Sequence, residues 1–287
     1  MTDTTLIAGC LYTVLGYLPL ILYLRIIQVM FFHSELRKQQ CYLLMAQIGV
    51  LNCLFIIGQA TFGVTVLTKS PIMAFITEYI GIPIFTSAWM AMLASNLVLA
   101  VNRLNILCNV RLPELFIRFL MVLSWAFGLF FLISCASRAA PLYIVNELSV
   151  FYDRKLPYAI IVRNCELWSS MTLLASTLLI YLYILMSLIR RRSAFNSQST
   201  RRLPSSEIKL LIQASLTFAL EALLEICWNF DDEFFPNSAW TSIVNCGWIH
   251  PGLCLLLNRK VRRIVFGTTT ETTIVSHIQD FATIRMD

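Results

Sequence analysis

The chain contains seven segments that are each long and apolar enough to cross a lipid bilayer as a helix, since about 20 mostly apolar residues span the hydrocarbon core. They cover residues 6–31, 41–66, 75–107, 117–137, 165–189, 208–230 and 239–257. Apolar residue types make up 58% of the 287 residues and charged types only 13%. A soluble domain of this size could not bury so much apolar surface. We therefore predict an all-α membrane protein whose fold is a bundle of seven transmembrane helices.

The Lys and Arg residues are distributed unequally between the two sides of the predicted bundle. Of 22, 13 lie in the joints after the first, third and fifth segments and in the C-terminal tail, whereas 5 lie on the opposite side. Because cytoplasmic loops carry the excess of basic residues, we predict an N-terminus outside the cell and a tail in the cytoplasm. Topology and attraction to anionic membrane lipids then explain the net charge of +6. No nucleic-acid partner is predicted.

The sequence contains no motif for metal or cofactor chemistry. Its nine cysteines and three histidines form no CxxC pair and no Cys/His ligand spacing. The HExxH, GxSxG and phosphate-binding glycine-rich patterns are also missing from it. We therefore predict that the protein is not an enzyme and that it binds no cofactor and no metal.

Polar side chains recur on one face of two predicted spans. Trp89, Asn96 and Arg103 are seven residues apart on the third segment, and Glu221 and Glu225 are four apart on the sixth, so each set shares a helical face. Polar residues at membrane depth normally face the bundle interior. Two carboxylates one turn apart should not both be ionised in a low dielectric. Such a pair suits an ion pathway, a pocket for a cationic or hydrogen-bonding ligand, or plain hydrogen bonding between helices.

A ligand pocket is predicted where aromatic side chains converge with a few polar groups, because aromatic walls with a few polar groups suit small molecules. The candidate ligand-binding residues are Glu78, Trp89, Trp168, Glu225, Trp228, Trp240 and Trp248. The predicted partners are therefore a small-molecule ligand, whose identity the residues do not specify, and the surrounding membrane lipids.

Four short motifs carry a family resemblance. They are Cys41-Tyr42-Leu43-Leu44-Met45 in the second segment, Ala100-Val101-Asn102-Arg103 in the third, Trp248-Ile249-His250-Pro251-Gly252 in the seventh, and Leu257-Asn258-Arg259-Lys260-Val261-Arg262 at its end. Together with seven spans and an outside N-terminus, these motifs resemble a rhodopsin-like G-protein-coupled receptor. More narrowly, the chain is similar to the nematode serpentine chemoreceptors of class T. The resemblance covers residues 6–266.

The resemblance implies a receptor domain at residues 1–267, a short amphipathic eighth helix after the seventh span, and a cytoplasmic tail at residues 268–287. It also implies that Asn102 and Arg103 correspond to the family's acidic–arginine pair, which latches the inactive state, with an amide in place of the carboxylate. Arg103 would then move to meet a heterotrimeric G-protein. The predicted coupling and switch residues are Asn52, Asn102, Arg103, Arg111, Arg190, Arg191, Arg192, His250 and Pro251.

The chain also departs from the family pattern at three places. Asn52 stands where the family usually has aspartate, and His250-Pro251-Gly252-Leu253-Cys254 replaces the NPxxY switch, without its tyrosine. Residues 138–164 contain no cysteine, so the family's disulfide between the third span and the second outer loop is predicted to be missing.

The function that the resemblance implies is chemosensory signalling at the plasma membrane, with sensory-neuron cilia as a candidate location. A small ligand would bind in the outer half of the bundle and activate a heterotrimeric G-protein. Two alternatives stay open at this point. An ion-coupled transporter or ligand-gated channel would use the Glu221/Glu225 pair, and a receptor homologue with altered switch motifs would act as a non-signalling subunit.

Overall fold

The structure is a computed structural model that describes residues 3–33, 36, 39–145, 149–153, 155–194, 205–229, 252, 254–256 and 259–266. Over these residues the chain is almost entirely helical. The exception is one short β-hairpin between the fourth and fifth long helices.

Six long helices follow the order of the first six predicted segments. They are α1 (Asp3–Phe32), α2 (Gln40–Thr68), α3 (Pro71–Cys108), α4 (Glu114–Ala136), α5 (Pro157–Ala194) and α6 (Ser205–Asn229). Among the described residues, α1 to α5 are long and apolar enough to cross a membrane, and α6 has a shorter apolar part at Ala214–Leu223. Most of the seventh predicted segment lies outside the described residues. A C-terminal helix is present at Arg259–Val265.

The loop predicted between the fourth and fifth segments folds in part into a β-hairpin, a feature that was not predicted from the sequence. Strands β1 (Leu142–Val145) and β2 (Ser149–Tyr152) pair antiparallel, with Leu142 opposite Tyr152. Helix α5 begins at Pro157 and not at the predicted residue 165. The proline explains this early start, because its fixed φ angle suits the first turn of a helix.

Helix α3 is central in the described part of the bundle. It contacts α2, α4, α5 and α6, while α1 packs against α2. Most of its side chains are buried. In contrast, large apolar side chains such as Ile21, Val122 and Leu179 are exposed on α1, α4 and α5, as expected for surfaces that face lipid.

A π-helical turn at Thr77–Gly81 interrupts α3 and packs closely against α2. A Cβ atom added to Gly58 of α2 would lie 2.6 Å from the carbonyl oxygen of Gly81. The hydroxyl oxygens of Thr65 and Thr77 are 2.7 Å apart in the same contact. Only glycine lets the two backbones approach this closely, because any side chain would enter the space of the facing carbonyl.

The two ends of the bundle are named here by what they contain. The hairpin end carries β1, β2 and the π-helical turn, which β1 contacts. The Arg103 end is where α2 begins and α3 ends.

Candidate functional site

Two hydrogen bonds between buried side chains connect α3 to α6. Trp89 Nε1 donates to Glu225 Oε2 at 2.9 Å, and Asn96 Nδ2 donates to Glu221 Oε2 at 2.5 Å. All four side chains are less than 10% exposed. The polar faces that the residue spacing assigns to the third and sixth segments therefore meet inside the bundle. Both carboxylates are paired with neutral donors in these two bonds.

Aromatic rings pack against Trp89, which belongs to the pair nearer the hairpin end. The ring centroid of Phe55, on α2, lies 5.6 Å from that of Trp89 and 4.4 Å from that of Phe85. Phe55 is 2% exposed, so these rings form a packed wall between α2 and α3. The wall holds the Trp89 indole in place, which keeps its N–H directed at α6.

A third carboxylate, Glu166 of α5, lies near this pair and bonds to the hairpin. Tyr152 Oη, on β2, donates to Glu166 Oε2 on α5 at 2.5 Å, and Glu166 lies within electrostatic range of Glu225. Burial and the neighbouring Glu166 carboxylate raise the pKa of Tyr152 well above its ordinary value. Neither residue was among the candidates from the sequence. The sequence signal that could have indicated Glu166 is that it is an ionisable residue just inside the predicted fifth span.

The hairpin is attached to the helices by further contacts at its base. Leu142 packs in one cluster with Ile82 of α3 and Cys135 of α4. The guanidinium carbon of Arg138 lies 4.2 Å above the ring of Tyr79, a distance typical of a cation–π interaction. These contacts hold the hairpin against the bundle without a disulfide from residues 138–164, which contain no cysteine.

The structure brings only some of the predicted pocket residues together. Trp89 and Glu225 are in direct contact, and Glu78 is half-buried on the π-helical turn at the hairpin end. Trp168 does not join them: it is 71% exposed. The reason is helical phase, because α5 turns Ser170 inward, and a residue two positions away points in a very different direction.

The remaining pocket candidates cannot be placed by their side chains. Trp228 lies on α6, but its side chain is not among the described ones. Trp240 and Trp248 lie wholly outside the described residues.

Arg103 is fully buried near the end of α3. It is 1% exposed, and its guanidinium donates to the Sγ atom of Cys41 in the first turn of α2. The neighbouring Asn102 is also 1% exposed, and its amide atoms have no hydrogen-bond partner among the described residues. Tyr181 of α5 lies within electrostatic range of both Arg103 and Cys41. This end of the bundle therefore joins α2, α3 and α5 around one buried cation.

The other predicted coupling and switch residues lie at scattered positions. Asn52 is buried and donates to the carbonyl oxygen of Ile48 in its own helix at 2.9 Å. Arg111 is exposed in the joint between α3 and α4, with a left-handed φ of 59°. Arg190 is exposed on the last turns of α5.

Four further members of that set lie partly or wholly beyond the described residues. Arg191 and Arg192 belong to α5, but their side chains are not among the described ones. His250 and Pro251 lie wholly outside the described residues.

The architecture is similar to that of a known class of membrane receptor. The crystal structure of squid rhodopsin matches 93% of this chain and 85% of its own, with a TM-score of 0.72 and 10% sequence identity. The chain therefore has the rhodopsin-like seven-helix fold. The sequence model of the serpentine type 7TM GPCR chemoreceptor Srt matches residues 1–277. The chain belongs to this family. No curated protein matches it in sequence.

These comparisons confirm the class T resemblance and the G-protein-coupled chemosensory function that it implied. The plasma-membrane and ciliary location and the ligand site in the outer half of the bundle stay predictions. The protein is a G-protein-coupled chemosensory receptor and a multi-pass membrane protein. Family and fold are of the receptor type, and they do not favour a transporter or a channel. The outside N-terminus, the amphipathic eighth helix, the bounds at residues 267 and 268 and the roles of the site residues stay predictions.

Proposed function

We propose that the receptor binds a small molecule near the hairpin end of the bundle, between α3, α5 and α6. The hydrogen bond between Trp89 and Glu225 is the observation that supports this most strongly. It places an aromatic surface beside a buried carboxylate, with the hairpin and Glu166 close by. A ligand with a cationic or hydrogen-bond donor group suits such a site, since it would compete with the indole N–H for Glu225.

Displacement of the Trp89 indole would change the contact between α3 and α6. A ligand shifts a receptor towards the conformation that it binds better, and small shifts at packed helix contacts are amplified into rigid-body movements. In this proposal the resting receptor keeps the Trp89–Glu225 and Asn96–Glu221 bonds. The activated receptor exchanges at least the first of them for contacts to the ligand.

The proposed orientation has the hairpin end outside the cell and the Arg103 end in the cytoplasm, with an outside N-terminus. The excess of Lys and Arg in the joints at the Arg103 end and in the tail supports it. The C-terminal helix, Arg259–Val265, would then lie along the inner leaflet as the eighth helix, followed by a tail at residues 268–287. We place the receptor in the plasma membrane, with sensory-neuron cilia as a candidate location.

G-protein coupling is proposed at the Arg103 end. Arg103 would leave its buried position on activation and contact the G-protein. Arg111 and Arg190, which are exposed, would attract acidic groups of the partner together with Arg191 and Arg192. Asn52, Asn102, His250 and Pro251 would act as switch positions within the bundle. No catalytic step by the receptor itself is part of this proposal.

The coupling proposal is tested by nucleotide exchange on purified heterotrimeric G-proteins, with the receptor in lipid nanodiscs. Arg103→Ala should reduce exchange to the rate of the heterotrimer alone while cell-surface expression is unchanged. Arg118→Ala is the matched control, because Arg118 is exposed on α4 and pairs only with the nearby Glu114 in the described contacts. Full exchange by Arg103→Ala would contradict the proposal.

The ligand proposal is tested by a second-messenger screen of small amines, alcohols and acids on cells that express the receptor. Glu225→Gln should abolish responses to amines and weaken those to alcohols. If the wild-type receptor signals to no ligand and to no heterotrimer but co-assembles with another receptor at the cell surface, it acts as a non-signalling subunit.

A further inference from the structure

We propose that Cys41 restrains Arg103 in the inactive receptor, as a latch between the first turn of α2 and the end of α3. This inference rests on the proposed coupling role of Arg103. It gives a functional role to Cys41, which is not among the site residues predicted from the sequence. The latch is the contact in which the Arg103 guanidinium donates to Cys41 Sγ.

The burial of both partners explains why this contact matters. Arg103 is 1% exposed and Cys41 is 5% exposed, so neither water nor lipid headgroups compete strongly for the guanidinium. A buried cation needs acceptors around it, because burying a charge without them is costly. The Cys41 sulfur supplies one of these acceptors, and it does so from a different helix.

The neighbouring amide does not take this role. Asn102 stands where the resemblance implied an acidic partner for the arginine, yet it is neutral, and its amide atoms bond to nothing in the described part of the chain. The restraint that a carboxylate at position 102 would provide is therefore supplied from α2. Tyr181 is close to both latch residues, so release of Arg103 would alter contacts on α2, α3 and α5 together.

The chemistry of the latch predicts its strength. A thiol sulfur is a weak acceptor, whereas an arginine–carboxylate pair is charge-assisted and frequently bidentate. A sulfur latch should therefore hold the inactive state less firmly than a carboxylate would. The receptor is expected to show measurable exchange without ligand, and this basal exchange should depend on the residue at position 41.

The first experiment measures basal nucleotide exchange on purified heterotrimers, with the receptor in nanodiscs and no ligand added. Cys41→Ala removes the acceptor and should raise basal exchange at least about threefold, since a small loss of inactive-state stability shifts the population measurably. Cys41→Asp supplies a carboxylate and should lower basal exchange below the wild-type rate. Cys53→Ala is the matched control, because Cys53 is also buried on α2 and should leave the rate unchanged.

The second experiment tests the contact without any G-protein. A double-mutant cycle on the thermal unfolding of the purified receptor compares Cys41→Ala, Arg103→Ala and the double variant. Residues in contact give non-additive effects, so the double variant should lose less in melting temperature than the sum of the two single losses. Additive losses would overturn the latch. Arg103→Gln serves in the same cycle if Arg103→Ala does not fold.

The two proposals fail in different ways. Arg103→Ala introduced into Cys41→Ala should return exchange to the rate of the heterotrimer alone. If exchange stays high, Arg103 does not couple to the G-protein, and the latch fails with it. If exchange falls but Cys41→Ala by itself matches wild type, the coupling role stands and the latch is wrong.

Discussion

Trp89 on α3 and Glu225 on α6, 136 residues apart in sequence, are joined by a hydrogen bond of 2.9 Å from the indole Nε1 to the carboxylate Oε2. Asn96 makes a bond of the same kind to Glu221. Because both donors are neutral, neither bond supplies a counter-ion to Glu221 or Glu225. A cationic ligand group could supply one. In the proposed function, exchange of the indole for a ligand group would link binding to helix movement.

Trp89→Phe should destabilise the receptor, because phenylalanine keeps most of the aromatic packing but has no N–H for Glu225. The expected loss in the free energy of unfolding is about 0.6 to 1.7 kcal/mol, the average and the largest value for hydrogen bonds between transmembrane helices. Thermal unfolding of the purified receptor measures it. Trp125→Phe on α4, at a side chain that is 38% exposed, is the control and should change stability by less than about 0.5 kcal/mol. Equal losses would mean that the hydrogen bond contributes nothing.

Asn96→Leu should lower the melting temperature more than removal of both partners of the Asn96–Glu221 bond does. The single substitution leaves the Glu221 carboxylate buried without this donor, whereas Asn96→Leu with Glu221→Leu removes the polar group as well. Loss of one partner of a buried bond costs about 1 to 3 kcal/mol, while replacing both by apolar groups is nearly neutral. Melting temperatures of the two single variants and the double variant test this.

The control for this cycle is an exposed charge. Glu114→Gln removes the ion pair with Arg118, whose two side chains are 65% and 67% exposed. Exposed pairs of this kind contribute little to stability, so the melting temperature should hardly change. A double variant that is less stable than Asn96→Leu would show that Glu221 has stabilising contacts beyond this bond.

Gly58→Ala should destabilise the contact between α2 and the π-helical turn. The new Cβ would lie 2.6 Å from the Gly81 carbonyl oxygen and 2.8 Å from Phe85 Cβ. Since the first of these neighbours is backbone, the helices would have to separate, at a cost of about 1 to 3 kcal/mol. Gly252→Ala is the control, because its Cβ meets no described atom within 4 Å, and alanine favours a helix by about 1 kcal/mol. Similar melting temperatures for the two variants would refute the close contact.

Residue spacing was sufficient to predict the inward polar faces of α3 and α6. The helical period determines which side chains share a face, whatever the helix packs against. It does not determine the relative depth of two helices. For this reason the pairing of Trp89 with Glu225, and of Asn96 with Glu221, could not be deduced from sequence, although all four residues were candidates for interior positions.

Three other features were not accessible from sequence for different reasons. The strands at residues 142–145 and 149–152 are rich in β-branched and aromatic types, but such short runs are ambiguous without their partners. Trp168 was assigned to the pocket because aromatic walls suit small ligands, and its residue type does not indicate whether it faces inward or outward on α5. The contact between Cys41 and Arg103 joins a thiol to a cation from separate segments, and no charge pattern signals such a pair.

Alkaline pH should weaken the attachment of the hairpin through Tyr152. An ordinary tyrosine has a pKa of about 10, and in the folded receptor the pKa of Tyr152 is raised. A raised pKa means that the folded state favours the protonated hydroxyl, so its contribution to stability is complete below about pH 10 and declines as the pH rises above it. The difference in melting temperature between wild type and Tyr152→Phe should accordingly shrink as the pH rises above about 10. At neutral pH, Tyr143→Phe on the same hairpin, where the ring is 46% exposed, controls for the loss of a tyrosine hydroxyl. A Tyr152→Phe difference that grew above about pH 10 would contradict the assignment, because it would mean that the folded receptor prefers the tyrosinate.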